Sequence, residues 1–141
     1  MQKISPIAVA RSLTEFWSQE IIGQANGNLI KVAKGIGATR WHTHDDQEET
    51  FLVLEGRLTI GLRDGDVDLE QGDFFIVPRG VEHCPSTAGG ASFLMIGPEV
   101  TSNEAGGKPA WSYGGGHPDG DGDGAALPAE TSVPGTSPPA Q

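Results

Sequence analysis

Between residues 20 and 97 short β-prone runs are cut apart by turns that carry glycine, and that rhythm leaves few architectures open. Glu20-Ile21-Ile22-Gly23-Gln24 and Leu29-Ile30-Lys31-Val32-Ala33 flank Asn26-Gly27, a strong cue for a two-residue hairpin. Further strands are expected near 39–44, 49–54, 57–63, 66–70, 73–77, 81–85 and 91–97. Asp64-Gly65 reads as a second hairpin turn, and Glu55-Gly56 and Gln71-Gly72 put glycine where the chain must reverse. A weak helical signal spans Ala8 to Phe16, with Ser5-Pro6 as its start. Many short strands with almost no internal helix imply an all-β sandwich or barrel.

One of the turns is lined with metal-binding chemistry. Residues 41–56 read WHTHDDQEETFLVLEG, so His42 and His44 are spaced i, i+2 and, on an extended strand, present both imidazoles to one face. After the acidic loop Asp45-Asp46-Gln47-Glu48 comes the β-rich run from Glu49 to Leu54. A third histidine, His83, follows in GDFFIVPRGVEHCP at 72–85. Three imidazoles and a carboxylate form a plausible set for one divalent transition metal, iron(II) before manganese(II), nickel(II) or zinc(II). Such a set leaves about two positions open on a six-coordinate ion, which suits a small-molecule substrate.

Strand parity sorts the neighbours. If Glu49 faces inward, so do Phe51 and Val53, which makes Phe51 a candidate pocket wall. By the same alternation Arg40 shares the face of His42 and His44, where it could hold a substrate carboxylate, while Cys84 points away from His83. Trp41, beside a ligand, could line the entrance; Trp17 and Trp111 read as packing residues. Glu48 competes with Glu49 for the carboxylate role.

These residues resemble the two motifs of the cupin superfamily. The first motif, a glycine, H-x-H, three or four residues, E, six residues and G, is met by Gly37, His42, His44, Glu49 and Gly56, with only the first spacer off by one. The second, G, five residues, P-x-G, two residues, H, three residues and N, is met by Gly72, Pro78, Gly80 and His83, with Thr87 in place of the final asparagine. Only from Glu49, not Glu48, do six residues intervene before Gly56. The resemblance covers roughly residues 28–100 and implies a jelly-roll barrel, or double-stranded β-helix, within a domain of residues 1–103. It also implies His42, His44, Glu49 and His83 as metal ligands, and a homodimer. Glu49 is the ligand able to loosen and take a proton, and so the candidate catalytic residue. Dioxygenase chemistry is favoured, ahead of an isomerase, lyase or cyclase using the metal as Lewis acid and of a ligand-binding cupin without turnover.

Composition narrows the partners. A net charge of -10 repels phosphate backbones, and the scattered basic residues form no stripe for nucleic acid or phosphate. The lone Cys84 and an N-terminus without a long apolar stretch fit a cytoplasmic protein with no membrane span. Residues 104–141 hold nine of the 21 glycines and six of the ten prolines, the make-up of a disordered acidic tail. Residues 119–130, DGDGDGAALPAE, match the spacing of a calcium-binding EF-hand loop through Asp119, Asp121, Asp123 and Glu130. The flanks are Gly/Pro-rich, and Pro128 stands where the exiting helix would begin, so no calcium site is expected there.

Overall fold

The computed structural model describes residues 1–99, and the tail, with Trp111 and the 119–130 segment, lies outside the described residues. A short helix, α1 (Pro6–Ser12), precedes seven strands: β1 (Glu20–Ala25), β2 (Asn28–Ala38), β3 (Glu49–Gly56), β4 (Leu58–Leu62), β5 (Val67–Leu69), β6 (Phe74–Val77) and β7 (His83–Gly97). Helix α1 starts where expected, because the Ser5 hydroxyl accepts from the Ala8 amide and Pro6 fills the first turn. It ends at Ser12, short of Phe16, as Leu13 turns extended.

All strand pairs are antiparallel, in the order β1-β2-β7-β3-β6, with β4 pairing both β5 and β7. The long β7 holds this together. Its first residues, His83 to Ser86, pair with β4, and Ala91 to Leu94 pair with β3, while β2 runs along its other edge. The sequence suggests two strands here, 81–85 and 91–97. The chain instead runs through as one strand, with the Gly90 amide held by the Thr87 hydroxyl at 3.0 Å. Thr87 thus does locally what a short polar side chain at that motif position can do.

The segment 39–44 departs from expectation. It forms no strand, only an isolated bridge in which His42 and His83 exchange backbone hydrogen bonds of 3.0 and 2.9 Å. Continuing that ladder backward would bring the chain against Pro85, which has no N–H to donate, although its carbonyl accepts from Thr39. The interruption frees the histidine segment from strand alternation.

Ala33, Phe51, Val53, Leu58, Ile60, Leu69, Val77, Ala91, Phe93 and Met95 make the core, with Phe51 and Phe93 rings 5.6 Å apart. Trp17 closes one side of it. Its indole N–H donates to the Ile36 carbonyl, and the ring lies where a Cβ on Gly35 would come within 2.5 Å. Gly35 therefore serves packing, which helps explain why the motif glycine falls instead on Gly37, at the register shift between β2 and β7. No helix among the described residues is long and apolar enough to cross a membrane.

Two glycines separate backbone freedom from close packing. Gly27, in the Asn26-Gly27 hairpin, has φ 81° and open space around it. Gly56 has φ 83°, and a Cβ there would collide with the Gly90 carbonyl oxygen and come 2.9 Å from Ala91 Cα. Gly27→Ala should therefore cost about 1 kcal/mol, the left-handed penalty alone, and Gly56→Ala about 3 kcal/mol or more. Urea unfolding of both variants checks this; equal losses would mean the β3–β7 crossing tolerates a side chain.

Candidate metal centre

Four side chains from three parts of the chain converge inside the barrel. Glu49 opens β3, His83 opens β7, and His42 and His44 come from the irregular segment between β2 and β3. One potential ligand atom from each lies within 4.8 Å of all the others. His44, Glu49 and His83 are buried, and His42 is partly so. The two motifs are clasped by the Gly80 amide, which donates to the His44 carbonyl at 2.8 Å.

Backbone carbonyls set two of the rings. His42 Nδ1 donates to the Arg40 carbonyl at 2.6 Å and His83 Nδ1 to the Val81 carbonyl at 2.9 Å. A carbonyl only accepts, so each Nδ1 carries its proton and Nε2 is left to face the other ligands. His44 Nε2 and His83 Nε2 stand 3.0 and 2.7 Å from the same atom, Glu49 Oε1. Neighbouring ligands at about 2.1 Å from a shared octahedral ion are about 3.0 Å apart, so these spacings suit a metal. The donor set of three imidazoles and a carboxylate fits a divalent transition ion.

The electrostatics follow from burial and crowding. Loss of hydration, with His83 alongside, pushes His42 down to about 3, so it is neutral at physiological pH. Burial works to raise the Glu49 carboxyl, but hydrogen bonds from His44 and His83 overcome it and hold the group well below the usual carboxylate range. Burial likewise lowers His83, yet the hydrogen bond and charge of Glu49 leave it raised. His83 is thus the imidazole whose protonated form Glu49 favours.

The rival carboxylate stands elsewhere. Glu48 is exposed and pairs with Arg79 at 3.3 Å. Phe51 shares Glu49's face of β3 and is packed into the core against Phe93. Trp41 is 38% exposed, and the Arg63 guanidinium stacks 3.7 Å from its ring centre. Arg40 is partly buried, and its carbonyl is what orients His42. The Cys84 thiol donates to the Thr39 carbonyl, and burial pushes it up to about 11, which leaves it protonated and inert. Sequence reasoning passes over two buried polar residues, Gln47 and Lys31. Gln47 lies in the acidic loop, hidden among charged neighbours. Lys31 has the sequence setting of an ordinary strand lysine, though its alternation with the core residue Ala33 is a usable signal.

Comparison with known proteins agrees with this geometry. The cupin-domain family profile matches residues 28–97. Protein YdbB of Bacillus subtilis is 32% identical over 78 residues, which cover 55% of this chain and 69% of that protein. The chain belongs to the cupin superfamily. A cupin-2 domain protein from Shewanella frigidimarina superposes with a TM-score of 0.65 at 32% identity, covering 68% of this cupin and 94% of the other chain. The 3-hydroxyanthranilate 3,4-dioxygenase of Xanthomonas euvesicatoria is 32% identical over 85 residues. That match takes in 57% of this cupin but only about half, 48%, of the dioxygenase.

Two measurements probe the centre. Metal content of purified protein should fall sharply in Glu49→Ala and His83→Ala and stay unchanged in Glu48→Ala; equal loss from Glu48→Ala would mean the wrong carboxylate. In metal-free protein followed by NMR, His83 should titrate above the ordinary imidazole value of 6.5. In Glu49→Gln its midpoint should drop below that value, since burial then acts with less opposition. The sign for stability follows: the His83–Glu49 contribution from His83 is full below 6.5 and is lost as pH rises through the raised value.

Proposed function

We propose that this cupin is a metal-dependent enzyme acting on a small molecule, of the dioxygenase type. The observation that carries the reading is the convergence of His42, His44, Glu49 and His83 with ligand-compatible spacings in a buried setting. The similarity to a 3-hydroxyanthranilate 3,4-dioxygenase over the cupin region supports oxygen chemistry on a hydroxyl-bearing ring. A divalent ion held by these four residues, iron(II) by preference and manganese(II), nickel(II) or zinc(II) as alternatives, would supply Lewis acidity and, for iron, the redox capacity that dioxygen demands.

The chain's own residues have distinct roles. His42 and His83 are locked in one tautomer by the Arg40 and Val81 carbonyls and so present Nε2 without a search. Glu49, the one carboxylate of the cluster, is the group suited to take a proton from an acidic substrate hydroxyl. The apolar interior built by Phe51, Val77 and Phe93 excludes water behind it. The protein is proposed to be cytoplasmic and a homodimer. Exposed Phe74, Ile76 and Ile96 lie close together on the outer sheet face, through the pairing of β6 with β3 and the hydrogen bonds between Thr50 and Ile96, and support self-association.

Protein purified without oxygen should carry about one equivalent of iron and consume oxygen with a catechol-like, enolic or thiol substrate. Stoichiometric iron with no uptake would favour an isomerase or lyase that uses the ion as Lewis acid. Absence of any metal at stoichiometric level would sink the enzyme reading.

A further inference from the structure

Lys31 is among the largest fully buried side chains, 2% exposed. Among the described residues no other lysine or arginine is buried. It pairs with Met95 across β2 and β7, on the face that carries the core residues Ala33, Phe93 and Met95. A methionine there would fill the same space without a charge to desolvate. The ammonium has three N–H groups, and the Glu99 carbonyl accepts one at 2.5 Å.

The position of that ammonium is defined by an absent side chain. Gly97 of β7 pairs with Leu29 of β2, and the residue before it, Ile96, is hydrogen-bonded to Thr50 of β3. Gly97 therefore lies between Lys31's strand and the end of β3 that carries Glu49. A Cβ on Gly97 would stand 3.0 Å from Gln47 Oε1 and 3.8 Å from Lys31 Nζ. The ammonium and the Gln47 side-chain oxygen thus both lie close against Gly97, where a methyl group would already crowd Gln47, and Gln47 belongs to the loop joining His44 to Glu49. Burial lowers the pKa of Lys31, while the charges of Glu49 and Glu99 act to raise it.

From this placement we infer that Lys31 anchors a carboxylate on the substrate, so that the substrate is a small aromatic or enolic acid. The inference rests on the reading of the His/Glu cluster as a metal centre open to a small molecule. The charges suit an acid: Glu49 at the centre would repel one, and a buried ammonium on the neighbouring strand offsets that repulsion and fixes which end of the molecule faces inward. A carboxylate would satisfy the N–H groups that the Glu99 carbonyl leaves over.

The test uses the full chain loaded with cobalt(II) in the absence of oxygen, with the cobalt absorption spectrum as readout. Catechol, 2,3-dihydroxybenzoate and 3,4-dihydroxybenzoate are titrated into the parent protein and into Lys31→Met. At least one acid should bind the parent about tenfold or more tightly than catechol, the scale of a charge-assisted contact. Lys31→Met should erase that preference while cobalt content and catechol affinity stay within about twofold. Gly97→Ala, which keeps the ammonium but fills the space beside it, should weaken the acids more than catechol and guards against misfolding of the first variant. Acids and catechol binding alike in the parent, or an acid preference that survives Lys31→Met, would overturn the proposal. Failure of the parent protein to take up cobalt would instead refute the metal centre on which it rests.

Discussion

The buried carboxylate of Glu49 is the constraint around which this barrel is organised. A charge 5% exposed is tolerable in an apolar interior only with strong partners, and its Oε1 faces both His44 Nε2 and His83 Nε2. Those imidazoles come from two separate stretches of the chain, so satisfying one oxygen ties the loop before β3 to the start of β7. Either a proton on His83 or a divalent ion can supply the positive charge that the carboxylate needs. The chemistry of the site and the integrity of its walls are in that sense the same problem.

Strand β7 makes the solution geometrically available. By pairing with β4 at its beginning and with β3 further along, it brings His83 to Glu49 and runs its far end along β2 as far as Gly97. Backbone groups complete the alignment: the Arg40 and Val81 carbonyls turn the rings of His42 and His83, and the Gly80 amide holds the His44 carbonyl. The His42 segment is exempt from regular pairing, and that irregularity lets two ligands from one short stretch approach the centre from different directions, their rings 5.0 Å apart at 68°.

Much of this is legible in the chain. Glycine-bearing turns divide the strands correctly at Asn26-Gly27, Gly56 and Gly72, because left-handed backbone is a local demand that few other residues meet. The spacing from Glu49 to Gly56 separates it from Glu48, and the structure shows why the two differ: strand alternation sends Glu49 inward, while Glu48 remains outside with Arg79. The strand expected over 39–44 does not form because Pro85 cannot donate to it, a consequence of a partner more than forty residues away in sequence. The gap expected between the strands at 81–85 and 91–97 is absent for a related reason, since pairing with β2 carries β7 through it.

By itself, then, the sequence determined the local terms: which residues turn, which alternate inward, and which four side chains have the chemistry for a metal. Tertiary structure alone decided how those four share space, that His44 and His83 meet on one carboxylate oxygen, and that Lys31 and Gln47 are buried. The reason is physical. Turn geometry and strand parity are set by neighbours one or two residues away, whereas burial of a charge depends on what every other strand brings against it.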